Sequence, residues 1–434
     1  MAVRVDELVG PDWVDGRIYT DQEIFELEMA RIFRRTWLYI AHDSEVPVPG
    51  DYVSRDVAGA PVIVARDKDG GIQVMFNRCR HRGNLVCQYP RGNSQYFRCQ
   101  YHGWTFANDG TLIGVPYPER YGPDFDKRAL GLAHLPAVEL YRGFIFASFN
   151  PDVPPLREHL GPAAELIDIF VNQSPVGTIQ VRSGVQRAEY RGNWKFVGMD
   201  GYHSNFVHRS VKLMQAPRSS DGQDQDESNP DTNLTVRKIG HPDKVGNRAY
   251  DYGNGHVRLD SSPQRLAAAE NILGELRASD AGRAYLESME ARYGPQEAAR
   301  LICISDPHVS IFPNLQLIGV HIRVIEPLAA DRTIVAQYPT TLDGVPDEIN
   351  IKRLRRYEWF YTPAAFGTPD DYEVFERNQL GLAAQTSPSV VLSRGAGREQ
   401  RDDRGVAVGS YSDEITQRGQ LARWAELMRA GGSE

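Results

Sequence analysis

The sequence predicts an α+β chain in which a small antiparallel β domain precedes a larger portion of mixed helix and strand. Three observations predict it. An amphipathic helical stretch opens the chain. Short runs rich in Val, Ile and Phe, separated by Gly, Asn and Asp turns, follow from Asp51 to about Asn150. Beyond the Pro-rich stretch Asn150–Pro155, long helical and strand patterns interleave. The division expected is a helical segment over 1–38, the β domain over 39–150 and the larger domain over 151–434.

The first helix is predicted from about Asp21 to Tyr39. Thr20 and Glu23 have capping-box spacing, and Ile24, Phe25, Leu27, Ile32 and Phe33 form an apolar stripe. Strands are expected at Tyr52–Val57, Pro61–Ala65, Ile72–Phe76 and Gly143–Phe149. Farther on, Gln264 to about Tyr293 reads as mostly helical. Ile311–Ile325 and Thr333–Tyr338 read as long strands lying antiparallel, and Ser412–Arg429 as a closing helix capped by Ser412. Gln215–Asn233 is almost free of apolar residues and reads as a surface loop, either an inert insertion or a lid.

Composition excludes several classes. The chain has 434 residues, 41% hydrophobic and 24% charged, enough apolar content for a sizeable core. A net charge of −8 argues against a basic nucleic-acid surface. No apolar run reaches the ~18 residues a membrane span needs. Met1–Glu7 lacks a signal-peptide pattern. Four cysteines do not make a disulfide scaffold, so a reducing, cytoplasmic setting is expected. Repeats and low-complexity tracts are not evident.

Chemistry concentrates in two places. Cys79-Arg80-His81 and Cys99-Gln100-Tyr101-His102 give C-x-H and C-x-x-H, one thiolate and one imidazole from each of two loops. The strand-like flanks Gln73–Phe76 and Gln95–Phe97 would set these loops at hairpin tips. Two Cys and two His suit either a tetrahedral zinc or a two-iron cluster with mixed ligation. Cys87 and Cys303 read as small buried residues.

The second place is Asn193–His208, which contains Asp200, His203 and His208 as D-x-x-H-x-x-x-x-H. Two imidazoles and a carboxylate on one face are the ligand set of a non-haem Fe(II) site with open positions. Asp200 could be the carboxylate, or could orient an imidazole from behind. The histidines are five positions apart, about 140° around a regular helix. A π-bulge or a helix end is therefore expected there.

Cys79-Arg80-His81-Arg82-Gly83 and Cys99–Phe106 resemble the Rieske motif, in the form found in the large (α) subunits of Rieske non-haem iron aromatic-ring-hydroxylating oxygenases. The resemblance runs from about Trp37 to Gln379. It implies an antiparallel β Rieske domain holding a [2Fe-2S] cluster, and a catalytic domain in which helices flank an antiparallel sheet around a mononuclear Fe(II). It implies that the third iron ligand comes from a later Asp-Asp pair, here Asp371 with Asp370 as the fallback, and that Asp200 bridges the two centres. It also implies a homotrimer in which Asp200 links the partner subunit's His102 to His203, sometimes with a small β subunit. The reaction implied is insertion of both atoms of O2 into an aromatic ring. The rival within the family is a monooxygenase that hydroxylates or demethylates. The rival outside it is a simple electron carrier or a zinc protein.

No G-x-G-x-x-G follows a strand and no second Cys cluster is present, so a flavin or nicotinamide domain is not expected. Electrons would come from a separate reductase or ferredoxin. Arg323 falls on the alternation Val320–Val324 and could point into the pocket to hold a substrate carboxylate, or could be a surface or structural arginine. His321 has the same phase. Leu392-Ser393-Arg394-Gly395 reads as structural.

Overall fold

The structure is a computed structural model that describes residues 4–200, 245–304, 307–365, 367–384 and 389–430, with Asp200 by its backbone alone. The chain forms two compact units. One comprises Phe33–Leu156 with Gln180–Arg182, and the other comprises the remainder.

The smaller unit is built from antiparallel sheets. One runs Ile72–Phe76, Ala60–Arg66, Asp51–Val57, Arg91–Asn93. A second runs Tyr96–Arg98, Thr105–Ala107, Leu112–Gly114. The third runs Ala137–Tyr141, Phe144–Ser148, Leu38–His42. Val62, Ile63, Val64 and Ala65 are all buried, so this strand is covered on both faces. Met75, Phe97, Trp104 and Phe106 form a core that also contains Cys79 and Cys99. The core thus sits directly behind the two Cys/His loops.

The larger unit has a nine-stranded antiparallel sheet. Its order is Gln186–Tyr190, Arg332–Pro339, His321–Ala329, Leu315–Ile318, His308–Ile311, Val257–Asp260, Arg248–Asp251, Ala407–Ser410, Gln400–Arg401. Helices Ser262–Ala267, Ala269–Arg277, Asp280–Tyr293 and Pro295–Cys303 cluster together. Helix Thr368–Leu382 packs on the first strand, and helix Ile415–Ala430 packs on Arg248–Asp251 and Val257–Asp260. Among the described residues, no helix is long and apolar enough to cross a membrane.

Four sequence expectations need correction. The first helix is capped by Asp21, not Thr20: its carboxylate accepts from Glu23 N at 2.8 Å and Ile24 N at 3.3 Å. That helix is regular only over Gln22–Glu28, continues as a π turn over Met29–Phe33, and gives way to the strand Leu38–His42. All five residues of that strand are buried, so its apolar run carries no period to separate it from a helix. The long strand expected over Ile311–Ile325 is instead parts of three strands. Gly319, at φ +56, turns the chain between two of them, and Tyr361 lies 2.7 Å from where a Cβ would sit. The closing helix starts at Ile415, beyond Ser412.

Candidate metal centres

The two Cys/His loops share one backbone design. Cys79 N donates to Asn84 O at 2.8 Å, and Gly83 N donates back to Cys79 O at 2.9 Å. In the second loop Cys99 N donates to Trp104 O at 2.8 Å, and Gly103 N to Cys99 O at 2.9 Å. Each return needs a left-handed residue, supplied by Gly83 at φ +74 and Gly103 at φ +71. The buried Asn77 straps the first loop from behind. Its Oδ1 accepts from Val86 N and Cys87 N, and its Nδ2 donates to Cys87 O at 2.7 Å.

The four donors come together as two pairs. The thiols of Cys79 and Cys99 are buried and within hydrogen-bonding reach of each other. Burial pushes the Cys79 thiol up, the His81 N–H pulls it down by less, and the Cys99 thiol pushes it up again. A thiolate at this spot therefore calls for a cation beside it. The His81 and His102 rings meet edge to face with centroids 4.6 Å apart, and Trp104 stacks on His81 at 5.0 Å. Burial, then the His102 and Arg82 charges, hold His81 below its ordinary pKa, in the neutral form that ligates metals. Nδ1 of His81 and Nδ1 of His102 are both buried without a hydrogen-bond partner.

Two paired thiols and two orphaned imidazole nitrogens fit a mixed two-iron cluster. Among the described residues, no three Cys, His, Asp or Glu side chains converge as a single ion requires. Pairing thiol with thiol and imidazole with imidazole suits two irons better than one tetrahedral zinc. Cys87 stands apart: its thiol donates to Tyr89 O at 3.4 Å. Cys303 is fully buried.

The second centre is built over long range. Asn193-Trp194-Lys195 leads into a π turn, Phe196–Asp200. A fully buried Glu28 anchors this entry. Its carboxylate accepts from Lys195 Nζ at 2.5 Å, Trp194 Nε1 at 2.8 Å and Trp424 Nε1 at 2.7 Å. Asn193 Nδ2 donates to Ala330 O at 2.8 Å and to Tyr19 O at 3.2 Å.

The helix carrying Asp370 and Asp371, Thr368–Leu382, is clamped to the same entry. Gln379 Oε1 accepts from Asn193 N at 3.0 Å, and Glu376 Oε1 from Arg191 N at 2.9 Å. Phe375 stacks on Phe196, and Tyr372 on Tyr190. Asp370 and Asp371 are half-buried in the helix's first turn. The segment leading to Asp200 and the body of the Asp371 helix are thus held together.

His203, His208 and the loop Gln215–Asn233 lie outside the described residues, as does the distortion expected between the two histidines. The π turn Phe196–Asp200 lies just before them. Arg323 is neither exposed nor paired with a carboxylate among the described residues. It is buried beneath the Asp371 helix, where its Nη2 donates to Thr368 Oγ1 at 3.1 Å. Sequence reading missed Asn77 and Glu28. A polar residue among apolar neighbours was the only signal for either.

Residues 36–137 match the family described as Rieske [2Fe-2S] domain, and residues 180–411 match the ring-hydroxylating alpha subunit (catalytic domain). The chain is 34% identical over 407 residues to the 2-halobenzoate 1,2-dioxygenase large subunit of Burkholderia cepacia, covering 91% of this chain and 82% of that relative. It is 33% identical over 411 residues to the toluate 1,2-dioxygenase subunit alpha of Pseudomonas putida, covering 90% and 85%. Among solved structures, naphthalene 1,2-dioxygenase from Rhodococcus sp. bound to indole aligns with a TM-score of 0.79 at 28% identity. That alignment covers 97% of this chain and 95% of that one.

Proposed function

The chain belongs to the ring-hydroxylating oxygenase α-subunit family, with a Rieske [2Fe-2S] cluster and a mononuclear iron, and from that premise we propose how its own residues divide the work. Cys79 and Cys99 hold one iron of the cluster, and His81 and His102 hold the other. His203, His208 and Asp371 hold the mononuclear iron, with Asp370 beside the ligand. Asp200 stands between His203 and the partner subunit's His102, accepting an N–H from each.

When bound, the cluster supplies single electrons at a raised potential and the iron supplies the place where O2 meets the ring. The protein does the rest. Trp104 covers one face of His81 and keeps water from it. Asn77 fixes the first loop from behind. Glu28 fixes the entry to the π turn, and Gln379 holds the Asp371 helix against it. Asp200 holds the facing imidazole rings in one tautomer and balances their charge.

The family's members are terminal oxygenases fed by a ferredoxin or reductase. We place this chain in a cytoplasmic homotrimer, with room for a small β subunit, acting on a small aromatic ring to give a cis-dihydrodiol. The observation that carries the reading is the clamp of the Asp371 helix onto the Asn193–Asp200 entry. It supports the reading because the helix that begins with the carboxylate pair is tied, through Glu376 and Gln379, to the segment that leads toward the two histidines.

The test is turnover under labelled O2 with a surrogate reductase and a panel of aromatic acids and hydrocarbons. Product carrying both labelled atoms is expected. Product with one labelled atom makes the chain a monooxygenase, and no product from any ring removes the reading.

A further inference from the structure

Antiparallel register sets a row of polar side chains across the large sheet. Gln337 faces Arg323, and Arg323 faces Gln316. Directly opposed residues share one face of a sheet. That face meets the Phe196–Asp200 turn and the Asp371 helix. Gln316 Nε2 donates to Val197 O at 2.7 Å, inside the Phe196–Asp200 turn. Arg323 Nη2 reaches Thr368 at the start of the Asp371 helix, and Gln337 Nε2 donates to the Tyr372 hydroxyl at 3.3 Å. Two residues from Arg323, Ile325 comes within 3.4 Å of where a Cβ on Gly198 would sit.

The row is dry. Arg323 is 6% exposed, Gln316 1% and Gln337 0%. Yet among the described residues the arginine's bonds go to neutral groups only: Nε to His321 Nε2 at 3.0 Å and Nη2 to the Thr368 hydroxyl. To accept from Nε–H, His321 must carry its proton on Nδ1 and be uncharged. Burial first, and the Arg323 charge second, hold its pKa well below the usual value, in agreement with that form. A guanidinium has five N–H donors, and these two bonds leave three for something else. A buried cation with no anion beside it is costly, and an apolar substrate would leave it so. A carboxylate completes it, with the planar two-point geometry that guanidinium favours.

We infer that Arg323, flanked by Gln316 and Gln337, is the seat of a substrate carboxylate, so that the substrate class is aromatic acids rather than unsubstituted hydrocarbons. This rests on the ring-oxygenating reading above. Arg323 is a specificity-determining residue: it holds the acid group and thereby fixes which ring edge faces the iron.

The test uses the metal-loaded full chain, with folding checked by melting temperature and cluster absorbance. Benzoate and 2-chlorobenzoate are titrated by calorimetry against benzamide, which matches benzoate in shape without its charge. The acids are expected to bind at least about 10-fold more tightly than the amide. Arg323→Leu should raise the benzoate Kd and KM about 10- to 100-fold, leave benzamide nearly unchanged, and be partly rescued by Arg323→Lys. Should Arg323→Leu not fold, Gln316→Leu and Arg323→Lys take its place, each expected to weaken the acids selectively. Equal binding of acid and amide, or an unchanged benzoate Kd in every folded variant, overturns the inference. The two readings fail separately. A chain that binds benzoate through Arg323 but oxygenates no ring keeps the seat and loses the function. One that oxygenates naphthalene and ignores both acids keeps the function and loses the seat.

Discussion

The Cys/His loops and the Asp371 clamp solve the same problem on different length scales. Each loop is closed by its own backbone: Cys79 bonds to Gly83 and Asn84, and Cys99 to Gly103 and Trp104. The other centre is held by partners scattered along the chain, with Glu28 gripping Trp194, Lys195 and Trp424, and Gln379 gripping Asn193. A locally closed site can keep its shape when distant packing changes. A site assembled from remote segments depends on every tie that holds them. The first kind suits a part that only stores charge. The second suits a part whose ligands must leave room for O2 and a substrate.

The largest test of this contrast is Cys99→Ser. It should abolish the visible absorbance of the cluster outright while the larger unit keeps its fold and its single iron. Metal analysis and circular dichroism check it, and loss of the cluster and the single iron together would show that the centres are not independently built.

Next is Glu28→Ala. It removes the Glu28 carboxylate from a buried Lys195 ammonium and two buried indole N–H groups, at a cost of about 3–5 kcal/mol. Chemical denaturation followed by tryptophan fluorescence should shift by that amount, while the cluster's absorbance in the unstressed protein stays at the wild-type level. Equal damage to both signals would contradict the contrast.

Acid provides the third test. His256 is fully buried in the larger unit, with Phe312 N bonded to its Nδ1 at 3.0 Å and its Nε2 bonded to His159 O at 2.8 Å. Burial above all lowers its pKa from 6.5 to about 4. The unfolded chain takes up this proton at the higher value and the native state only at the lower one. Stability is therefore full above about pH 6.5 and declines as pH falls toward 4, by about 3 kcal/mol for this group. Melting temperature measured across that window should fall in the wild type and fall less in His256→Gln.

The smallest effect expected is that of Gln379→Ala. Removing an acceptor from Asn193 N and a donor to Tyr19 O should cost about 1–2 kcal/mol. It should lower the occupancy of the mononuclear iron relative to the cluster, read as the ratio of iron to acid-labile sulfide.

The same contrast governs what the sequence revealed. The Cys/His loops were legible because their ligands, their glycines and the strands that flank them lie side by side in the chain. Ile72–Phe76 was read to the residue for the same reason. Arg323 was visible as a basic residue in an apolar strand, but its neighbours Gln316 and Gln337 follow from register, which pairs strands and cannot be read from one. Glu28 looked like any acidic residue on an amphipathic helix, since its partners lie far along the chain. Leu38 and Tyr39 were read as the end of the first helix because a strand buried at every residue has no alternation to betray it. Gly319 was passed over as part of one long strand, although its φ of +56 and the Tyr361 ring against it fix a turn.

The central claim is that one polypeptide carries a locally closed two-iron store and a remotely assembled single-iron site. Iron and acid-labile sulfide analysis of the purified chain, with the electron paramagnetic resonance of the reduced protein, tests it most directly. About three irons and two sulfides per chain, with the signal of a cluster ligated by both sulfur and nitrogen, are expected. Two irons with no third, or zinc without sulfide, would contradict it.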